Sequence, residues 1–130
     1  MDYKTEILFD ELGFPKCPRW RDGMLYFSDQ HFNHVISVDM EGNPSSVAEV
    51  PGTPAGLGWL PDGRMLVVSM KDKRLMRLDS TGLEVAADLS QLVSHNCNDM
   101  VVDRLGNAYI GNFGYDINDP TAEPHFSEIT

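Results

Sequence analysis

The sequence predicts an all-β fold of four-stranded antiparallel sheets, because one unit repeats along the chain and each copy contains short strands joined by tight turns. Asp22-Gly23-Met24-Leu25-Tyr26-Phe27 aligns with Asp62-Gly63-Arg64-Met65-Leu66-Val67, 40 positions later. A third copy, Leu105-Gly106-Asn107-Ala108-Tyr109-Ile110, follows 43 positions after the second. The three turn glycines stand in register, which is typical of a hairpin repeated in every copy.

The second unit shows all four strands, at residues 57–60, 65–69, 75–78 and 85–87. These runs are too short and too interrupted by Gly and Pro for helices, and only residues 89–93 could hold a single helical turn. The first unit shares the pattern, because residues 36–39 align with residues 76–79. Four strands in about 40 residues are the signature of a β-propeller blade.

The number of blades predicts an incomplete ring. Propellers have at least four blades, whereas this chain contains two complete units and the inner part of a third. We therefore assign residues 1–116 to a partial propeller of about three blades. Residues 117–130 break the period and are predicted to form an irregular tail. Open edge strands at the ends of such a stack would favour partners.

Charge and composition narrow the functional classes. The net charge of −10, from 10 basic and 20 acidic residues, argues against a nucleic-acid partner. No apolar run is long enough to span a bilayer and the N-terminus lacks a signal-peptide pattern, so we expect a cytoplasmic protein with no membrane partner. Cys17 and Cys97 are expected to be two buried thiols rather than a disulfide.

Five segments carry a more specific pattern: Cys17-Pro18-Arg19-Trp20-Arg21-Asp22-Gly23, Leu25-Tyr26-Phe27-Ser28-Asp29, Gly56-Leu57-Gly58-Trp59-Leu60-Pro61-Asp62-Gly63-Arg64, Cys97-Asn98-Asp99-Met100-Val101-Val102-Asp103 and Gly111-Asn112-Phe113-Gly114-Tyr115-Asp116. Together they resemble the N-terminal half of the gluconolactonase, senescence-marker-protein (regucalcin) and luciferin-regenerating-enzyme family. The resemblance implies a six-bladed propeller with one divalent ion, Ca²⁺, Zn²⁺ or Mn²⁺, on its axis, and hydrolysis of sugar lactones such as gluconolactone. It also implies that residues 7–9 form the strand that closes the ring.

The resemblance places Lys16 where the family has its first metal ligand, a glutamate two residues before Pro18. A protonated lysine cannot coordinate a cation and repels one. Either the metal is lost, or Lys16 points elsewhere, or the position carries a sequence error. The family's other two protein ligands would lie beyond residue 130. We therefore predict no metal ligands in this chain and weak or absent metal binding.

Three residues are candidate substrate contacts. Asn98 matches the family's channel-facing asparagine in an Asn-Asp pair, although an Asn at a blade entrance can instead cap a turn. Asn96 lies where some members have a substrate-binding arginine, or it belongs to a solvated loop. Asp116 matches a position that holds sugar hydroxyls in some members, and it is equally a turn former.

Other polar and aromatic positions have simpler interpretations. Asp29, Ser69 and Asn112 end the second strand of each copy, and we expect them to face water. Trp20 and Trp59 lie in the first strands and are expected to pack between blades rather than to stack on a ligand. His31, His34 and His95 are expected to be surface or loop histidines.

The resemblance implies a metal-dependent sugar-lactone hydrolase, in which metal-activated water attacks the ester carbonyl. Whether this chain alone is an enzyme stays uncertain, because the ring is incomplete and Lys16 replaces a ligand. The first alternative is a non-enzymatic module that closes a ring by pairing with itself or with a second half. The second is a truncated product without independent function. No Gly-x-Ser-x-Gly, P-loop or Cys-x-x-Cys motif supports other chemistry.

Overall fold

A computed structural model describes residues 1–130 and contains ten β-strands and no helix. Blade one comprises β1 (Pro15–Arg21), β2 (Met24–Asp29), β3 (His34–Val38) and β4 (Pro44–Glu49); blade two comprises β5 (Pro54–Trp59), β6 (Met65–Ser69), β7 (Arg74–Asp79) and β8 (Gly82–Asp88); blade three comprises β9 (Cys97–Val102) and β10 (Ala108–Asn112). Neighbouring strands are antiparallel and follow sequence order. The all-β prediction is confirmed, and the ring is open. No helix long and apolar enough to cross a membrane is present.

Turn chemistry explains where the inner strands, β1, β5 and β9, end. Asp22 and Gly23 form a two-residue loop with φ values of 50° and 78°, as a type I′ hairpin requires. The corresponding turn of blade three is longer, and Asp103 Oδ1 accepts hydrogen bonds from the backbone amides of Leu105 and Asn107 at 2.8 and 2.9 Å. Glycine is favoured in these turns because it adopts positive φ without steric cost.

The core lies between the blades and follows the two-residue alternation of the strands. Val35 of blade one packs with Leu57 and Val67 of blade two, and all three are fully buried. The opposite face of blade two presents Val68 to Cys97 and to the rest of blade three. Strand β6 is consequently buried on both faces, as expected for a sheet sandwiched between two others. Both cysteines are buried free thiols, which confirms that prediction.

Each inner strand is interrupted by a one-residue bulge. The register shifts between Lys16 and Arg19 in β1, between Pro54 and Leu57 in β5, and where Ile110 and Asn112 of β10 pair with β9. A bulge bends and twists its strand locally. Because the three bulges occupy one repeat position, they place Lys16 opposite Ser28 and Asn112 opposite Cys97 at the same end of their blades.

One expectation about the first blade is wrong. Trp20 does not pack in the core but is 61 % exposed. Its repeat equivalent, Trp59, packs edge-on against Tyr26 of blade one, with ring centroids 5.1 Å apart, as predicted for that residue. No blade covers the outer face of blade one, which explains the difference. Residues 7–9 form no strand in this chain, which contains no last blade for them to pair with, so their role in closing the ring stays a prediction.

The last residues return to blade three. Ile129 forms an isolated antiparallel bridge with Gly111, and Ile110 and Thr130 exchange two backbone hydrogen bonds of 2.7 and 3.0 Å. Ile110 occupies the repeat position of Phe27, which pairs with Ile36 of the third strand in blade one. The last residues therefore pair with β10 as a third strand would. Residues 113–127 contain turns and no strand. The domain boundary at residue 116 stays a prediction.

Candidate functional site

One end of the blade stack collects the same repeat position from all three blades. The residue after the second strand donates its backbone amide to the carbonyl before the first strand in each blade: Gln30 to Phe14 at 3.1 Å, Met70 to Thr53 at 2.8 Å, and Phe113 to Asn96 at 2.9 Å. These bonds fix where the chain enters the first strand and leaves the second strand of each blade. The side chains at these positions therefore converge on one surface.

A cavity of 580 Å³ opens on this surface, and we call it the mouth cleft. Its size is within the range of small-molecule sites. Side chains from all three blades line it, together with two residues of the following loop. They are Phe14, Lys16, Gln30, His31, Asn33, Thr53, Met70, Lys71, Asn96, Phe113, Ile117 and Asn118.

Lys16 lies in the wall of the mouth cleft, half-buried near the start of β1. Its Nζ is 3.5 Å from Oδ1 of Asn98 in β9, and 5.9 Å from the centroid of the Phe14 ring. No carboxylate lies within ion-pair distance of this ammonium group. The lysine therefore points toward Asn98 instead of away from the inner strands.

Asn98 faces a cation instead of capping a turn. Its side chain is half-buried and its Oδ1 accepts only the long hydrogen bond from Lys16. It lines a second, more open cavity of 570 Å³ with Arg19, Asp99 and Tyr109, and it does not line the mouth cleft. The structure thus brings Lys16 and Asn98 together, while its assignment as a substrate contact stays a prediction.

Asn96 and Asp116 share a smaller cavity of 200 Å³ with Lys73. Asn96 also lines the mouth cleft, so its side chain lies between the two spaces. Asp116 is exposed, and its Oδ1 accepts a 2.9 Å hydrogen bond from the backbone amide of Asn118, which is the turn-forming role considered for it. A role for either residue in sugar binding stays a prediction.

The three polar residues that end the second strands are buried, so the expectation that they face water is wrong. Asp29 and Ser69 are 0 and 1 % exposed, and Asn112 is 9 % exposed. Asp29 accepts hydrogen bonds from the backbone amides of Gly13 and Phe14 at 2.9 and 2.7 Å, which fixes the entry to β1. Asp29 therefore fastens the loop that leads into blade one at the cleft end of that blade.

Arg19 was missed as a functional candidate by sequence reasoning. Its guanidinium donates to three backbone carbonyls that occupy one repeat position in the three inner strands: Pro18 at 3.0 Å, Leu57 at 3.1 Å and Met100 at 2.8 Å. It also forms an ion pair with Asp99. One side chain therefore connects β1, β5 and β9 along the axis. Its only sequence signal was the Pro18-Arg19-Trp20 segment.

The side chains near Lys16 do not fit the divalent ion that the resemblance implies. No group of three or more His, Cys, Asp or Glu side chains is arranged to hold an ion. Burial, followed by the nearby Asp99 carboxylate, raises the pKa of Cys17 to about 11, so its thiol is not a thiolate at neutral pH. With an ammonium group beside Asn98, the local donor set repels a cation.

The histidines provide no alternative metal site. His31 is exposed at the rim of the mouth cleft, where its ring stacks on Phe14 with centroids 5.4 Å apart. Nδ1 of His34 lies 2.7 Å from the carbonyl oxygen of Phe32, and His95 lines the small cavity. None of the three forms an ion pair with a carboxylate.

Comparison with solved structures shows the same fold. A gluconolactonase from Xanthomonas campestris superposes with a TM-score of 0.76 and 17 % identity, over 94 % of this chain and 44 % of that one. Regucalcin, a calcium-binding protein from Agrobacterium tumefaciens, superposes with a TM-score of 0.64 and 19 % identity, over 77 % of this chain and 39 % of that one. A luciferin-regenerating enzyme gives a TM-score of 0.59 and 14 % identity, over 89 and 44 % of the two chains.

The chain thus spans less than half the length of these structures. No curated protein sequence matches it. The family model described as SMP-30/gluconolactonase/LRE-like region matches residues 14–129, which includes every strand and the mouth cleft. This chain therefore belongs to the SMP-30/gluconolactonase/LRE-like family.

Proposed function

We propose that this chain binds a small sugar lactone in the mouth cleft and does so without a divalent ion of its own. The observation that carries the proposal is the convergence of Lys16, Asn96 and Gln30, one from each of three different segments, on a cavity of ligand size. Family membership and the gluconolactonase-like fold support the substrate class.

The chemistry of the cleft suits a hydroxylated ring. Amide side chains both donate and accept hydrogen bonds, as sugar hydroxyls do, and four of them line the cleft: Gln30, Asn33, Asn96 and Asn118. The Lys16 ammonium can donate to a carbonyl oxygen. Phe14 and Phe113 supply apolar surface for the C–H faces of a sugar.

The family implies metal-dependent hydrolysis of the lactone, and the residues around Lys16 do not support it. A divalent ion would polarise the lactone carbonyl and activate water. The ion would need oxygen ligands. Oδ1 of Asn98 is a candidate ligand, but it lies 3.5 Å from the ammonium group of Lys16. We therefore propose recognition without metal-assisted turnover by this chain.

Titration of the chain with freshly dissolved gluconolactone, followed by NMR, tests the proposal. We expect the NMR chemical shifts of cleft residues to change. Asn96→Ala should bind roughly fivefold more weakly, because one hydrogen bond is lost. Gln91→Ala removes an exposed amide that lines none of the cavities described above and serves as the control. Hydrolysis that depends on added Ca²⁺, Zn²⁺ or Mn²⁺ would contradict the proposal, as would the absence of binding.

A second candidate function is self-association through the open face of blade three. Val101 and Tyr109 pair across β9 and β10 and are 63 and 46 % exposed, and Leu105 beside them is 85 % exposed. Contact between this face and the exposed Trp20 on the outer face of blade one in a second copy would bury both. Light scattering over a range of concentrations tests this pairing, and a monomer at every concentration would exclude it.

A further inference from the structure

We infer that the mouth cleft also accepts anions, and that it binds a small hydroxylated carboxylate in preference to an uncharged polyol. The inference rests on the proposed function of the cleft and adds the charge of its ligand. The chain as a whole carries a net charge of −10, with twice as many acidic as basic residues. The mouth cleft reverses this balance, because Lys16 and Lys71 line it and no Asp or Glu does.

Lys16 has unused hydrogen-bonding capacity. An ammonium group has three N–H donors, and only one of them meets an acceptor, Asn98 Oδ1, at the long distance of 3.5 Å. The group is half-buried and has no carboxylate partner. A partly buried charge without a counter-ion is costly, so an anion entering the cleft would gain a strong, charge-assisted hydrogen bond.

Gln30 supplies a second donor. Its Nε2 atom is buried and has no hydrogen-bond partner within the chain, and the residue lines the same cleft. Buried polar atoms are almost always paired, so an unpaired donor beside a cavity points to a ligand acceptor. Together, the Lys16 ammonium and the Gln30 amide offer donors suited to carboxylate and hydroxyl oxygens.

The surrounding carboxylates are held by hydrogen bonds within the chain, and none of them lines the mouth cleft. Asp29 has both side-chain oxygens engaged by backbone amides of Gly13 and Phe14, and it is fully buried behind the cleft wall. Oδ2 of Asp72, next to Lys71, accepts a hydrogen bond from Ser69 at 2.8 Å. Asp116 faces the smaller cavity.

The lining favours a hydroxylated carboxylate over a phosphate. Inorganic phosphate has no hydroxylated carbon chain to engage the four amide side chains of the lining. Amide side chains and the rings of Phe14 and Phe113 instead match a polyhydroxylated carbon chain. One carboxylate at Lys16 and several hydroxyls at the amides satisfy this set of groups.

Calorimetric titration with three probes tests the inference: D-gluconate, sorbitol and inorganic phosphate. Sorbitol has the same six-carbon polyol chain as gluconate but no charge. We expect gluconate to bind at least roughly tenfold more tightly than sorbitol, because a hydrogen bond to a charged group is the stronger kind. Lys16→Gln should remove this preference, whereas Lys4→Gln, an equal charge change at an exposed residue outside the cleft, should retain it.

The possible results are distinguishable. The inference is overturned if gluconate binds no better than sorbitol, if phosphate binds as tightly as gluconate, or if both lysine variants weaken gluconate binding equally. Should Lys16→Gln not fold, added NaCl must weaken gluconate binding by the unmodified chain and leave sorbitol binding unchanged. Lactone binding that persists while the gluconate preference is absent would refute only the charge assignment, and loss of both would refute the proposed function as well.

Discussion

Replacement of Arg19 by alanine should destabilise the whole stack, because this side chain connects the inner strands of all three blades. Its guanidinium donates to the carbonyls of Leu57 in β5 and Met100 in β9, at 3.1 and 2.8 Å. The side chain is 29 % exposed, so both bonds are only partly accessible to water. Truncation leaves these carbonyls without their partner at the junction of the blades.

The magnitude follows from these contacts. Each of the two inter-blade bonds from a charged donor contributes about 1 to 2 kcal/mol. The ion pair with Asp99, which is 51 % exposed, adds at most about 1 kcal/mol. The bond to Pro18 is local and exposed and contributes little. We therefore expect Arg19→Ala to lower the free energy of unfolding by about 2 to 5 kcal/mol.

Urea denaturation monitored by circular dichroism measures this effect. With a slope of about 2 kcal/mol per molar urea, the midpoint should fall by roughly 1 to 2.5 M. Arg104→Ala removes an exposed arginine that makes no ion pair, and it should change stability by less than about 0.5 kcal/mol. If Arg19→Ala costs no more than Arg104→Ala, Arg19 does not connect the blades.

Three further predictions concern packing, reactivity and pH. Gly56→Ala would place a Cβ 2.5 Å from the backbone nitrogen of Met100, so it should push blades two and three apart. We expect it to lower the free energy of unfolding by about 1 to 3 kcal/mol in the same urea assay, and unchanged stability would refute this close approach. Because the pKa of Cys17 is raised to about 11, alkylation of this thiol at neutral pH should be roughly a hundredfold slower than that of free cysteine, and an ordinary rate would show that the thiol is not buried. Hydrogen bonds from Arg77 and then Arg64 lower the pKa of Asp79 to about 2, below its unfolded value of about 4, so its stabilising contribution is present above about pH 4 and is lost as the pH falls toward 2. Thermal melting should therefore show a smaller acid-induced loss of stability for Asp79→Asn than for the unmodified chain, and equal losses would contradict this assignment.

The strands and their order could be predicted from the sequence because they depend on local signals. Recurring turn glycines such as Gly23 and Gly63 and two-residue alternation specify hairpins without reference to distant residues. The inner hairpin of blade three was predicted in the same way from the turn at Gly106 and is observed as β9 and β10.

The exposure of individual side chains could not be predicted in this way, because it depends on which blade covers each face. Trp20 and Trp59 occupy one repeat position, yet only Trp59 has a blade beside it. The role of Arg19 requires the bulges to place three carbonyls around its guanidinium, and a one-residue shift in pairing has no local sequence signal. Burial of Asp29 depends on hydrogen bonds from Gly13 and Phe14, which lie 16 and 15 residues earlier in the chain.

The central claim is that Lys16 places a positive charge on the inner strands where the family resemblance implies a metal ligand. Binding of Mn²⁺, measured by electron paramagnetic resonance of the free ion, tests this claim directly. We expect no stoichiometric binding by the unmodified chain, and tighter binding after Lys16→Glu, because a carboxylate would then lie beside the Asn98 oxygen. Binding of one ion per unmodified chain, with an affinity that Lys16→Glu leaves unchanged, would contradict the account.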